Sequence, residues 1–271
     1  MRRRTRRRKR RPTIWRTPDD LWILVQAVLP PAEFQPSGGR PWIAPRRILD
    51  GVLYVLRTGC QWQAVPAEYG SGSTLHRRFQ HWVTTGRWEQ MWRRLLEYYD
   101  ARVGLDWTWQ SADSSLHKAP LGGEKTGPNP TDRAKTGTKR HVLTEGGGIP
   151  IALVITAANT HDKCALTEVL DAKVIRATPR TEQHLCLDKG YDYADIHRAV
   201  RRRGYVPHIR ARGEERRACR RGTRARRWVV ERTHSWFNRC RKLLIRWEKK
   251  PENYLALVQF AATIAVFRLV G

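Results

Sequence analysis

Acid is what this chain is short of. Only 25 Asp and Glu stand against 52 Lys and Arg, a formal charge of +27. Such an excess points to a polyanionic partner, nucleic acid first and an anionic membrane second. Cysteine is scarce too: five, widely separated (Cys60, Cys164, Cys186, Cys219, Cys240) and with no C-x-x-C pair. That spacing excludes a structural zinc site and a secreted disulfide frame, and leaves reduced cytosolic thiols as the expectation. Long apolar runs are missing. The nearest, Leu255–Phe267, is broken by Gln259 and Thr263, too short for a span and expected as a buried core helix. No apolar stretch follows the basic start, so no signal peptide is expected.

What is present is unevenly spread. Residues 1–11 carry +9, residues 201–250 carry +15, and the remainder only +3. The first 17 residues read as a disordered basic arm for non-specific phosphate contact, with a misplaced start codon as the rival explanation. From Pro18 to about residue 100 the apolar period is helical. Leu21, Leu24, Val25 and Val28 mark one helix, and Ile48, Leu49, Val52, Leu53 and Leu56 a second. A third, capped by Ser73, buries Leu75, Phe79, Trp82 and Val83 and turns Arg77, Arg78, Gln80 and His81 outward. Trp88, Met91, Trp92, Leu95 and Leu96 mark a fourth. Such a set suits a small all-α, helix-turn-helix-like DNA reader, against the alternative of a plain bundle with a basic surface. Most of the 12 Trp fall on apolar helix faces and are expected in cores, not against bases.

Residues 101–271 have a different texture. Trp107–Ala112, Lys139–Thr144, Ile149–Ala157, Leu185–Leu187 and Tyr205–Ile209 read as strands, and Ala165–Ile175 and Asp195–Arg203 as helices. This is an α/β layer with a central mixed sheet. Leu121–Gly137, rich in Gly, Pro, Lys and Thr, reads as a mobile basic loop. A long amphipathic helix is expected from Arg224 to Trp247, with Val229, Val230, Trp236, Phe237, Cys240, Leu243, Leu244 and Trp247 on its apolar side.

Three carboxylates stand out. Asp113 and Asp188 each follow a predicted strand, where adjacent strands can bring them together. Two close carboxylates repel, and a divalent cation resolves the conflict. The alternative is that each simply forms a turn. Glu231 lies on the polar face of the long helix, near Arg224, Arg227, His234, Ser235 and Asn238. The alternative there is a surface ion pair with Arg227.

Several motifs in fixed order make the chain recognisable. Asp113-Ser114-Ser115 is followed by Lys118-Ala119-Pro120, Gly122-Gly123, Thr126-Gly127-Pro128-Asn129-Pro130-Thr131-Asp132-Arg133 and Gly137-Thr138-Lys139-Arg140-His141. Then come Asp188-Lys189-Gly190-Tyr191-Asp192, and Val230-Glu231-Arg232 leading to Trp236-Phe237 and Arg241. Over about residues 18–269 this resembles the DDE transposases of the insertion-sequence-four/five superfamily, its "five" group in particular. The resemblance implies a ribonuclease-H-like core and Asp113, Asp188 and Glu231 as both catalytic and metal-binding residues. It implies Mg²⁺ or Mn²⁺, two ions roughly 3.5–4 Å apart, serving in-line cleavage and strand transfer. Partners would be double-stranded DNA, both terminal repeats and target, met by a homo-oligomer in the bacterial cytoplasm, on the nucleoid and away from membranes. DNA contacts are expected from Arg77, Arg78, Gln80, His81, Lys139, Arg140, Lys189, Arg224, Arg227, Arg239 and Arg241. The family's third motif carries a Tyr and a Lys where this chain has Arg224 and Asn238. Glu214 and Glu248, outside any motif, are expected to tolerate Gln. A DNA-binding protein without catalysis and a plain metal-dependent nuclease are the competing functions.

Overall fold

The computed structural model describes residues 13–30, 42–176, 182–209 and 228–270. The helical part comprises α1 (Asp19–Val25), α2 (Pro45–Thr58), α3 (Gly72–Thr84) and α4 (Arg87–Arg102). In α2, Pro45 opens the helix where no N–H is needed, and Ile48, Leu49, Val52, Leu53, Val55 and Leu56 are buried. The cap of α3 lies two residues before the expected one. Ser71, not Ser73, takes the N–H of Thr74 on its side chain at 3.3 Å. The reason is Gly72: the Trp62 carbonyl occupies the space a Cβ would fill, so only glycine lets the helix begin there. Phe79, Trp82, Trp88 and Trp92 are all buried, as their spacing predicted.

A mixed sheet follows, built of β1 (Trp109–Lys118), β2 (Gly127–Pro128), β3 (Thr136–Glu145), β4 (Pro150–Ala157), β5 (Gln183–Leu187) and β6 (Tyr205–Ile209). The main strands run in the order β4-β3-β1-β5-β6, with β2 against the start of β3. β4, β3 and β1 are antiparallel neighbours; β5 and β6 continue parallel to β1. Three antiparallel strands extended by two parallel ones is the ribonuclease-H-like arrangement. α5 (Asp162–Asp171), α6 (Ala194–Arg202), α7 (Trp228–Phe237) and α8 (Pro251–Val270) complete it. Lys139 reaches Asp162 of α5, while its neighbour Arg140 lies under Phe237 of α7. Successive strand residues point to opposite faces, so α5 and α7 cover opposite faces of the sheet.

α8 is long and apolar enough to cross a membrane, yet 67% of its apolar window is buried inside the protein. It packs on α4, with Phe260 5.1 Å from Trp88, and also on β4 and α7. Helical and sheet parts consequently share one hydrophobic core.

Three further expectations differ from what is seen. β1 does not stop at Ala112 but runs to Lys118, because β3 pairs with it as far as Gly137↔Lys118; Asp113 is therefore mid-strand. The Leu121–Gly137 segment is anchored. Arg246, 1% exposed, donates to the carbonyls of Glu124, Lys125, Glu248 and Lys249 and to the Thr138 hydroxyl. Lys249 backbone also fills the space beside Gly123 that a Cβ would need. Finally, the helix of Glu231 ends at Phe237, not Trp247. Beyond it Ile245 bridges to Lys118 and the Arg246 N–H donates to the Lys118 carbonyl, which draws the chain off the helical path. Leu244 and Trp247 are accordingly exposed.

Candidate active site and DNA-facing surface

Register brings the two aspartates together. β1 and β5 pair as Trp109↔His184, Gln110↔Leu185 and Ser111↔Cys186; continued two residues, the same register sets Asp113 level with Asp188. Asp188 directly follows β5 and accepts the Lys189 N–H at 2.6 Å, starting the 3-10 turn Lys189–Tyr191. Tyr191 is buried behind both. Burial raises its phenol pKa well above the usual value, and the charges of Asp162, Asp113 and Asp188 raise it further. Asp113, Asp188 and Asp162 thus all lie close enough to that phenol for their charges to act on it.

Glu231 approaches on α7. Val229, Val230, Thr233, His234 and Phe237 are that helix's buried side, and Glu231 is exposed. Thr233 anchors the helix by donating to the Gly148 carbonyl at 2.6 Å. His234, one turn beyond Glu231, faces the Asp113 backbone. Burial first, then the Arg140 charge and His117, holds it down to about 3, so it is neutral and its ring adds no charge beside the carboxylates. The backbone thus sets Glu231 on the helix over β1, beside the strand that carries Asp113. Among the described residues, no three carboxylate, imidazole or thiol groups converge on one point as a finished metal cage. Their donors are nevertheless all hard carboxylate oxygens, which fit Mg²⁺ or Mn²⁺ and not zinc.

The expected DNA contacts divide. Arg77 and His81 are exposed on α3, and Gln80 is half-buried. Arg78 is stacked over Trp42, its guanidinium carbon 3.4 Å from the ring centroid. Lys189, Arg239 and Arg241 are exposed, whereas Arg224 and Arg227 lie outside the described residues. Two residues are not on the surface. Lys139 donates to the Thr160 carbonyl at 2.7 Å and to Asp162 at 2.9 Å. Arg140 is 0% exposed. Both belong to β3, whose two faces are covered by α5 and α7, so neither meets a phosphate directly. Asn238, where the resembled motif has Lys, accepts from Arg140 at 3.4 Å.

Asp162 was missed from the sequence. Its carboxylate accepts from Ser114 and Lys139, both at 2.9 Å, tying β1 just past Asp113 to β3 and α5. The one available signal was its position just after β4, at the start of the following helix. Glu248, expected to be dispensable, is buried in an ion pair with Lys242 at 3.1 Å.

Residues 107–265 match the family described as "Transposase DDE domain", well over half of the chain. The chain belongs to the DDE transposase family. Residues 18–92 match a second family, described as "Putative transposase of IS4/5 family (DUF4096)". The split between the two models falls at the change from helices to sheet. Members of the DDE family depend on divalent metal ions, and the chain is a DNA-cleaving and -transferring enzyme by that membership. Two curated relatives come from Burkholderia cepacia. "Putative transposase for insertion sequence element IS402" is 38% identical over 148 residues, 53% of this chain and 69% of that protein. "Insertion element IS402 uncharacterized 16.2 kDa protein" is 36% identical over 116 residues, 41% of this chain and 79% of that protein. Among solved structures, a pre-cleavage Mos1 transpososome aligns over 88% of this chain and 82% of its own, at 9% identity and a TM-score of 0.28. The Mos1 strand transfer complex aligns over 86% and 81%, at 10% identity and the same score. Likeness at that score carries no argument about this DDE transposase.

Proposed function

We propose that this DDE transposase binds the terminal repeats of its insertion sequence, cuts the strands there and joins the freed ends to target DNA. Asp113, Asp188 and Glu231 are the catalytic residues and hold the divalent cations, Mg²⁺ or Mn²⁺. Bound there, such ions supply Lewis-acid activation of water or a 3′-hydroxyl and stabilise the leaving oxygen. The chain's own part is placement. β1 and β5 fix two carboxylates level, α7 carries the third, and neutral His234 packs against the Asp113 backbone without adding charge. The observation that carries the reading is the parallel pairing of β1 with β5, which continued two residues sets Asp113 level with Asp188, beside the Glu231 helix.

Exposed Arg77 and His81 on α3, with Gln80, supply the reading of the repeat, and Lys189, Arg239 and Arg241 grip phosphates near the cut. Joining two ends of one element calls for two such sites, hence a homo-oligomer on DNA, working in the bacterial cytoplasm. The test uses the purified chain, DNA from the flanks of its own gene, and Mg²⁺. Asp113→Asn and Asp188→Asn are each expected to abolish cleavage and joining while leaving DNA binding intact. Near-normal cleavage by either variant refutes the assignment.

A further inference from the structure

Away from the carboxylates, two imidazoles face each other. β5 and β6 pair in parallel as His184↔Val206 and Cys186↔His208, so His184 and His208 rise from one face of the sheet. His184 Nδ1 lies 3.0 Å from His208 Nε2. Trp109, level with His184 on β1, packs against both rings, 4.4 and 4.8 Å away between centroids. Both histidines are half-buried and so still open to a small solute.

Protons decide what such a pair can do. A neutral imidazole carries one N–H and one lone pair, and only one proton fits between the facing nitrogens. Glu182 Oε1 lies 3.4 Å from His184 Nε2, on the other side of that ring. Its negative charge favours the proton at Nε2 and leaves the Nδ1 lone pair aimed at His208. A carboxylate behind an imidazole is the arrangement that orients metal-binding histidines and raises their basicity. When the proton of His208 sits on Nδ1, its Nε2 presents a second lone pair to the same spot. A cation between the two then satisfies both.

Distance narrows the choice of ion. Imidazole suits copper, nickel and zinc, whereas Mg²⁺ and Mn²⁺ prefer oxygen. An ion about 2.0–2.1 Å from each nitrogen sees two nitrogens 3.0 Å apart at an angle of about 90–100°. That is a cis angle of a square or octahedral ion; a tetrahedral one needs the nitrogens about 3.3 Å apart. Cu²⁺ and Ni²⁺ therefore fit the pair as it stands, and Zn²⁺ only after it opens. Two protein ligands leave the remaining positions to water.

We propose that His184 and His208 form a binding site for a transition-metal dication of the copper and nickel class, distinct from the carboxylates assigned to Mg²⁺ or Mn²⁺. Asp188 follows His184 by four residues, about 13 Å along an extended chain, so the two sites do not share an ion. Bound to the pair, the ion staples β6, the outermost described strand on this side of the sheet, to β5. It needs neither DNA nor catalysis to do so.

The test uses the purified full chain with Ni²⁺ or Cu²⁺ as probe, in excess Mg²⁺ to fill the carboxylates. Wild type is compared with His184→Gln and His208→Gln, each first melted without added Ni²⁺ or Cu²⁺ to show that it is folded. Equilibrium dialysis should find one Ni²⁺ per wild-type chain, held at least tenfold more tightly than by either variant and more tightly than Zn²⁺. At about 100 times its dissociation constant, Ni²⁺ should favour the folded wild type by a further factor of about 100 and raise its melting temperature. Neither variant should shift. Electron paramagnetic resonance of the Cu²⁺-loaded wild type should show two equatorial nitrogens, a measurement that decides the matter even where a variant does not fold. Equal Ni²⁺ binding by a folded variant, copper without two nitrogens, or Zn²⁺ held more tightly than Ni²⁺ overturns the proposal. The first two would leave the pair as a hydrogen bond alone.

Discussion

Glu248→Gln is almost isosteric, yet it should cost the fold heavily. The Glu248 carboxylate lies 3.1 Å from Lys242 Nζ, and the two side chains are only 8% and 6% exposed. The pair sits where the chain leaves α7 and turns towards α8, with Arg246 donating to the Glu248 carbonyl. Replacing the carboxylate by a neutral amide strands the Lys242 ammonium in a desolvated site. Breaking one partner of such a pair costs about 3–5 kcal/mol. At about 2–4 °C per kcal/mol for a domain of this size, the melting temperature should fall by roughly 6–20 °C. Lys242→Met should destabilise likewise by stranding the carboxylate. The double variant Lys242→Met with Glu248→Leu should regain most of the loss, since an apolar pair of similar volume removes both charges together. Calorimetric or circular-dichroism melts of all three, at neutral pH and fixed salt, make the cycle. A Glu248→Gln protein melting within 1–2 °C of wild type, about the spread of a neutral surface change, would refute the reasoning and return Glu248 to the surface.

Other consequences can be checked separately. His117 and His234 are held down to about 3 and His141 to about 4, each chiefly by burial. Their folded values lie below the ordinary 6.5, so the unfolded chain takes up protons first as pH drops. Stability should be level above about pH 6.5 and fall by about 1.4 kcal/mol per pH unit per histidine below it; denaturant melts from pH 8 to 5 that show no decline would contradict this. Arg246→Met removes the donors that anchor Glu124, Lys125, Glu248 and Lys249, and limited proteolysis should then cut within residues 121–137 sooner than in wild type. Equal cleavage rates would mean that another contact holds this segment.

Much of the fold was legible because its elements are locally determined. Four helices were read from the spacing of Leu, Val and Trp, and β6 was placed at Tyr205–Ile209 as observed. Errors came where a distant partner decides. β3 prolongs β1 past Asp113, and no local signal in Ser114-Ser115-Leu116 announces that pairing. Arg246 and Lys249 order a segment whose Gly and Pro content reads as loop. α7 ends early because Ile245 and Arg246 are drawn to Lys118. Within the proposed site, Asp113, Asp188 and Glu231 were picked out through motif order, and the β1–β5 register, continued two residues, sets the first two level. Arg140 was misplaced because a basic residue in a basic protein reads as surface, and burial is decided by α7, which is distant in sequence. Asp162 and Tyr191 gave no sign of their proximity, since their meeting depends on how α5 and the turn after β5 pack.

The shared core also governs when the protein can fold. α8 is made about 150 residues after α4, yet it packs against Trp88 and closes the packing of α4. During synthesis α4 and the helices before it must therefore wait, their aromatic faces uncovered, until α8 is released. Domains that fold one after another as they emerge escape that exposure. Here the first and last thirds of the sequence reach the native state together, and their long-range contacts slow the step. A chain cut short before α8 has then lost more than its end: it lacks the piece that completes its beginning.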